Sequence, residues 1–176
     1  MRLTKTCDVI LVSDYAKGVV TESIMKTLKE CAASYNKKIV VDPKPEHGSW
    51  YRDAFLITPN TKEAAGLSGF NDVSHAGTKL QETLNAHVLI TEGANGMTLF
   101  EKGKKRLHIP TNATEVYDVA GAGDTVVATL ALCVASGYSL YDAALIANSA
   151  AGIVVRKHGT ATVSAEELKS SVQGES

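Results

Sequence analysis

Four short apolar runs punctuate the first half of the chain, at residues 8–13, 38–42, 54–58 and 87–91. The first contains Val9-Ile10-Leu11-Val12 and the second Ile39-Val40-Val41, without polar interruption. Unbroken apolarity over a short run predicts a strand covered on both faces, as in a parallel sheet. Between the runs the period changes. Ile24, Met25, Leu28, Cys31 and Ala32 recur at spacings of three and four, which predicts an amphipathic helix over 21–35. Val73, Ala76, Leu80 and Leu84 predict another over 72–84. Residues 96–100 and 106–109 flank a polar, glycine-bearing turn and read as a β-hairpin. Residues 126–136 and 139–155 are apolar and alanine-rich and read as buried helices, with a last helix at 165–172. Residues 45–52 read as irregular, held down by Trp50 and Tyr51, and 114–117 as a short β-like run. Strands alternating with helices predict an α/β fold on a parallel sheet, with right-handed crossovers.

In such sheets ligands gather at the carboxyl ends of the strands. The loops there carry the polar chemistry. Ser13-Asp14-Tyr15-Ala16-Lys17-Gly18 follows the first run and Asp42-Pro43-Lys44 the second. Each is readable as a solvated turn or as a place where Lys17 or Lys44 meets phosphate. Thr58-Pro59-Asn60-Thr61-Lys62-Glu63 follows the third. Asn60 with Glu63 three residues on is a capping box, which by itself explains the pair. Thr91-Glu92-Gly93-Ala94-Asn95-Gly96 follows the fourth.

The stretch around which the rest is organised is Tyr117-Asp118-Val119-Ala120-Gly121-Ala122-Gly123-Asp124-Thr125. It places glycines ahead of an apolar helix. Free N–H groups and the positive end of the helix dipole converge there, and glycine lets an anion approach the backbone. Asp124 sets a carboxylate at the rim of that anion site, suited to taking a proton from an attacking hydroxyl. An acid in a first helical turn is also favoured by the dipole alone. No Lys-Ser/Thr pair follows the glycines, so this is not a Walker A loop. Val126 stands where a dinucleotide fingerprint needs its third glycine.

Composition narrows the classes. The chain has 176 residues and a formal net charge of −1, which fits one domain over 1–176 and argues against nucleic acid as a main partner. Cys7, Cys31 and Cys133 form no metal-binding or redox pair and suit a reducing cytoplasm. The opening residues are polar, not a signal peptide, and the apolar helices are too short to span a membrane. Lys102, Lys104, Lys105 and Arg106 read as a solvated hairpin tip, and the five histidines show no ligand spacing.

The stretch 117–125 resembles the signature of the ribokinase-like (PfkB) carbohydrate kinases, Asp-Thr-x-Gly-Ala-Gly-Asp. Its Tyr-Asp-Val-x-Gly-Ala-Gly-Asp-Thr form is most similar to the heptose-phosphate kinase module of ADP-heptose synthesis proteins. Val119 and Ala120 depart from the wider pattern, which has hydroxyl side chains there. The resemblance implies a three-layer αβα sandwich. It implies Asp124 as catalytic base and the Gly121, Ala122 and Gly123 backbone as the phosphoryl cradle. Asn60-x-x-Glu63 matches the family's second signature, which implies that both order Mg²⁺ and the nucleotide phosphates through water. Thr91, Gly93 and Gly96 match a segment bordering the nucleotide. Asn148 falls near the adenine, and Gly159 lies in a loop closing the site. Ser-Asp-Tyr-x-Lys-Gly is typical of the heptose branch and implies that Lys17 helps hold phosphate charge.

The resemblance runs from about Asp8 to Val172 and corresponds to the C-terminal part of such a kinase, without the sugar-binding lid. The expected activity is transfer of the ATP γ-phosphoryl group to a hydroxyl of a sugar or sugar phosphate, a heptose 7-phosphate foremost, in the cytoplasm. The expected fold is truncated at its N-terminus, so self-association or a partner chain is expected to cover the open side. Two rival readings stand beside this one. The first is a non-catalytic nucleotide-binding remnant completed by another chain. The second is an unrelated α/β domain, flavodoxin-like, in which Asn60, Gly121 and Asp124 do not share a cleft.

Overall fold

The computed structural model describes residues 3–112 and 116–173. Six strands form one sheet in the order of the sequence. β1 (Val9–Ser13), β2 (Lys38–Asp42), β3 (Leu56–Ile57) and β4 (His87–Thr91) run parallel, and β5 (Met97–Phe100) and β6 (Leu107–Ile109) continue antiparallel. The helices are α1 (Glu22–Ser34), α2 (Thr61–Ser68), α3 (Val73–Leu84), α4 (Ala122–Ala135), α5 (Leu140–Val154) and α6 (Ala165–Gln173).

Strand periodicity divides the core in two. Ile39, Val41, Ile57, Val88 and Ile90 point to one face and pack against Met25 and Ala32 of α1, Ala64 of α2, and Leu80 and Leu84 of α3. Val40, Leu56, Leu89 and Leu99 point to the other and meet Val127, Leu130 and Val134 of α4 and Ala143, Ala144 and Ala147 of α5. Because β2 to β4 are covered on both faces, their sequences are continuously apolar rather than alternating. The result is the expected α/β arrangement of three layers.

Local chemistry fixes the helix starts. Thr21 accepts from the Ile24 amide at 3.3 Å, Asp72 from His75 at 2.9 Å and Ser139 from Asp142 at 3.1 Å. The capping box at α2 is complete: Asn60 Oδ1 accepts from the Glu63 amide at 2.9 Å, and Glu63 Oε2 accepts from the Asn60 amide at 3.0 Å.

Three boundaries differ from the sequence reading. β3 spans only Leu56–Ile57, although amides at Phe55 and Thr58 bond the Ile39 and Val41 carbonyls of β2, both at 2.9 Å. The stretch read as irregular contains a 3₁₀ segment, Pro45–Tyr51, pinned by the fully buried Tyr51. And α4 begins at Ala122, inside the glycine-rich stretch, because Gly121 in the left-handed conformation (φ 79°) caps it. The β-like run at 114–117 falls partly outside the described residues, and Val116 and Tyr117 are not in a strand.

Candidate active site

Loops at the carboxyl ends of β1 to β4 converge with the start of α4 around two adjoining cavities. One, of about 200 Å³, is lined by Asp42, Lys44, Asn60, Glu63, Gly121 and Asp124 among others. The other, of about 280 Å³, is more apolar and is lined by Gly93, Gly96, Ala122, Val126, Asn148 and Val155 among others. Thr91, Gly123 and Val126 form walls of both. The two signatures, about sixty residues apart along the chain, therefore meet in one cleft, and the reading in which they lie scattered is overturned.

The start of α4 is held from behind. Tyr117 and Asp118 amides donate to the Val155 carbonyl at the end of α5, at 2.8 and 3.2 Å, and the Ala120 amide donates to Asp118 Oδ1 at 2.9 Å. The resemblance counts Ala122 in the phosphoryl cradle, but its amide is turned back to the Val119 carbonyl at 3.2 Å. Among the described residues the amides of Gly123 and Asp124 meet no acceptor. These are the first-turn donors that an anion engages. A Cβ built on Gly121 or Gly123 meets nothing within 4 Å, so the space beside this backbone is open.

Asp124 is exposed and accepts a hydrogen bond from the Tyr15 hydroxyl at 3.0 Å. That bond and the carboxylate's charge hold the Tyr15 phenol above its ordinary value. The sequence reading gave Tyr15 no role, although it lies in the Ser-Asp-Tyr-x-Lys-Gly motif at the end of β1. The loop is anchored by Asp14, which is 1 % exposed. The Asp14 carboxylate accepts from the Ala16 amide at 2.8 Å and the Tyr51 hydroxyl at 2.6 Å, and pairs with His47 Nδ1 at 2.7 Å. Burial pushes the Asp14 carboxyl up, but the bonds from Tyr51, His47 and Ala16 outweigh it and leave the group below its usual range. Tyr51 in turn accepts from the Lys44 amide at 3.0 Å. One buried acid thus fixes both the loop carrying Tyr15 and the backbone of Lys44.

Lys44 forms an ion pair with Glu63, and this bond holds its ammonium above the ordinary lysine value. Asp42 stands beside them. Burial, and then the Glu63 charge, push its carboxyl up to about 6. Asn60 is brought next to Thr91 by an isolated parallel bridge that extends the β3–β4 pairing.

Asn148 is 3 % exposed and donates from Nδ2 to the Pro110 carbonyl at 2.7 Å, so core hydrogen bonding accounts for its amide while its side chain lines the apolar cavity. Gly96 has a structural reason of its own. It lies at φ 88°, and a Cβ there falls 2.1 Å from the Ile109 carbonyl oxygen. Lys17 and Gly159 are exposed and line neither cavity.

Among the described residues no group of three or more His, Cys, Asp or Glu side chains can cage a metal. The donors in the smaller cavity are separate carboxylates and an amide, which fits a magnesium ion held largely by water and phosphate rather than by a protein cage. Among the described residues no helix is long and apolar enough to cross a membrane.

Residues 3–168 match the model of the pfkB family carbohydrate kinases. The chain is 45% identical over 173 residues to the bifunctional protein HldE of Desulfatibacillum aliphaticivorans, covering 95% of this chain and 35% of that protein. It is 45% identical over 181 residues to HldE of Caulobacter vibrioides, covering 97% of this chain and 37% of that one. The chain thus spans about a third of the length of these curated relatives. In fold it superposes on Arabidopsis thaliana ribokinase complexed with ribose and ATP, with TM-score 0.82 at 21% identity, covering 98% of this chain and 58% of that one. Escherichia coli phosphofructokinase-2 in complex with potassium gives TM-score 0.82 at 19% identity, covering 95% and 57%. The fold is therefore ribokinase-like, and the chain belongs to the pfkB family of carbohydrate kinases.

Proposed function

We propose that residues 1–176 act as one nucleotide-binding and catalytic unit that transfers the γ-phosphoryl group of Mg-ATP to a hydroxyl of a sugar phosphate, with heptose 7-phosphate as the acceptor. The observation that carries this reading is that Asn60, Glu63, Gly121, Gly123 and Asp124 line a single cavity. In the proposed reaction Asp124 takes the proton of the acceptor hydroxyl. The acceptor's hydroxyl oxygen forms the new bond to the γ-phosphorus, the bond to the β–γ bridging oxygen breaks, and ADP leaves. The Gly121 and Gly123 backbone and the dipole of α4 hold the charge on the moving group. Asn60 and Glu63 order the ion through water, and bound Mg²⁺ supplies charge neutralisation on the phosphates. Thr91, Gly93, Gly96 and Asn148 border the nucleotide, and Gly159 lies in a loop that closes the site. Lys44 and Lys17 attract the acceptor's phosphate. The free thiols of Cys7, Cys31 and Cys133 suit a cytoplasmic site of action.

A specific observation favours a second reading, in which the chain binds nucleotide but turns over only with further protein. β1 is an edge strand, and Leu11 on it is 40% exposed. An apolar edge invites pairing, and we propose that a second copy or further protein lies along it. The test is to measure ATP binding and heptose-phosphate-dependent ADP release together. Asp124→Asn is expected to keep ATP affinity within a few-fold and to slow turnover by roughly 100- to 10,000-fold, the range for loss of a general base. Undiminished turnover in an active preparation refutes the assignment, and binding without turnover in the unaltered chain selects the second reading.

A further inference from the structure

At the opposite end of the sheet from the candidate active site, a cleft of about 670 Å³ opens where β2, β3 and β4 begin. Its walls carry Lys26, Lys29, Lys37, Lys38 and Lys102 against the two carboxylates of Glu30 and Asp53. The chain as a whole has a formal net charge of −1, so this concentration of ammonium groups is local.

None of the five is in an ion pair among the described residues, whereas Lys44, Lys104 and Lys157 each have a carboxylate partner. Lys29 donates to the Arg52 carbonyl at 3.4 Å, Lys102 to Asn85 Oδ1 at 2.6 Å, and Lys38 lies 4.5 Å from the centre of the Phe55 ring. Asp53, one of the two acids of the cleft, accepts from the Asn85 side-chain amide at 2.7 Å. The half-buried His87 stands edge-on to Phe55, with ring centres 5.1 Å apart, and lines the same cleft. Burial holds its imidazole below the ordinary value against the opposing charge of Glu101, with Lys102, Lys104 and Lys38 adding to the lowering.

Unpaired like charges held around a concavity repel one another, and that repulsion is relieved by an anion that enters between them. A monovalent ion meets one or two such groups; an ion with several charges meets more. The volume lies within the range of small-molecule sites, and the concave shape suits a small ligand better than the flat face of a macromolecule.

We propose that this cleft is a second anion site that takes a small molecule bearing two or more linked phosphate groups, held by Lys26, Lys37 and Lys38 beside Phe55 and His87. The site is independent of the phosphoryl-transfer reading, since it shares no residue with either cavity of the candidate active site.

The test uses the full chain and magnesium-free tripolyphosphate, followed by amide and imidazole NMR. Saturable movement of the His87 imidazole signals is expected, with affinity falling severalfold as salt is raised, as screening requires. Lys26→Gln with Lys37→Gln is expected to weaken this binding at least tenfold, leaving the response of the Gly121 and Gly123 amides to ATP unchanged. Movement confined to the Gly121 and Gly123 amides overturns the proposal. So does a double variant that binds tripolyphosphate as well as the unaltered chain. Poly-glutamate that shifts His87 where tripolyphosphate does not also overturns it, in favour of an acidic protein partner. A single Lys37→Gln variant with unperturbed amides elsewhere guards against loss of fold as the cause.

Discussion

Asp42 sits where burial and the Glu63 carboxylate both oppose its charge, and its carboxyl is pushed up to about 6 from 3.8. A carboxyl raised on folding binds its proton more tightly in the native state. Its contribution is therefore fully present below the unfolded value and is lost as pH rises through the folded one. Asp42→Asn removes that loss. The variant is expected to be more stable than the unaltered chain at pH 8, by roughly 1–2 kcal/mol once solvent screening is allowed for. The gain is expected to shrink through pH 6 and vanish below about pH 4. Thermal unfolding at the three pH values checks this, and a constant difference across them would exclude titration of Asp42 as the cause. The acids of the cleft differ by surroundings, not by type. Asp14 is more deeply buried in side-chain terms, yet three donors keep it below its ordinary value.

At the scale of elements, the capping box of α2 raises the question of whether Asn60 serves the helix or the nucleotide. Two variants separate the roles. Asn60→Ala loses the cap and is expected to cost about 1 kcal/mol, while serine caps nearly as well and is expected to cost little. If Asn60 also orders the ion and phosphates, both weaken Mg-ATP binding severalfold, but only Asn60→Ala lowers the unfolding temperature. Full affinity in Asn60→Ser would leave the residue with its structural duty alone. The turn between β4 and β5 poses the same question at Gly96. Its positive φ and the 2.1 Å approach of the Ile109 carbonyl both exclude a side chain. Gly96→Ala is expected to cost about 3 kcal/mol or more. Gly103, at φ 77° with open space around it, carries only the conformational penalty, about 1 kcal/mol for alanine. Equal losses in the two variants would show that the carbonyl contact is not what makes glycine necessary.

For the molecule as a whole, charge is distributed unevenly between the two ends of the sheet. Acids gather with Lys44 at the carboxyl ends of the strands, and lysines unpaired among the described residues gather at their beginnings. Apolar exposure is found beside the candidate site, at Val119, and also at the edge strand, where Leu11 is 40% exposed, and on α4, where Leu132 is 69% exposed. If β1 pairs with a second copy, Leu11→Lys places a charge in that contact and is expected to shift the species seen by size-exclusion chromatography with light scattering towards the monomer. An unchanged mass would mean that copies of this chain do not associate through β1.

The sequence by itself determined whatever depends on near neighbours along the chain. Strand and helix types follow from side-chain periods, the α2 cap from residues three apart, and the glycine-rich entry to α4 from the need for a backbone open to an anion. Family membership was legible for the same reason, since its signatures are local. Only the tertiary structure decided the rest. The Tyr15 hydroxyl meets Asp124 across 109 positions, and Asp14 meets Tyr51 across 37. The early start of α4 rests on the left-handed conformation of Gly121 and on anchoring to α5, neither of which an apolar count registers. The raised pKa of Asp42 and the lysines of the far cleft, unpaired among the described residues, depend on burial and on distances between separate elements. Those quantities come into being when the layers pack, because electrostatic free energy follows separation in space and exclusion of water, not order along the chain.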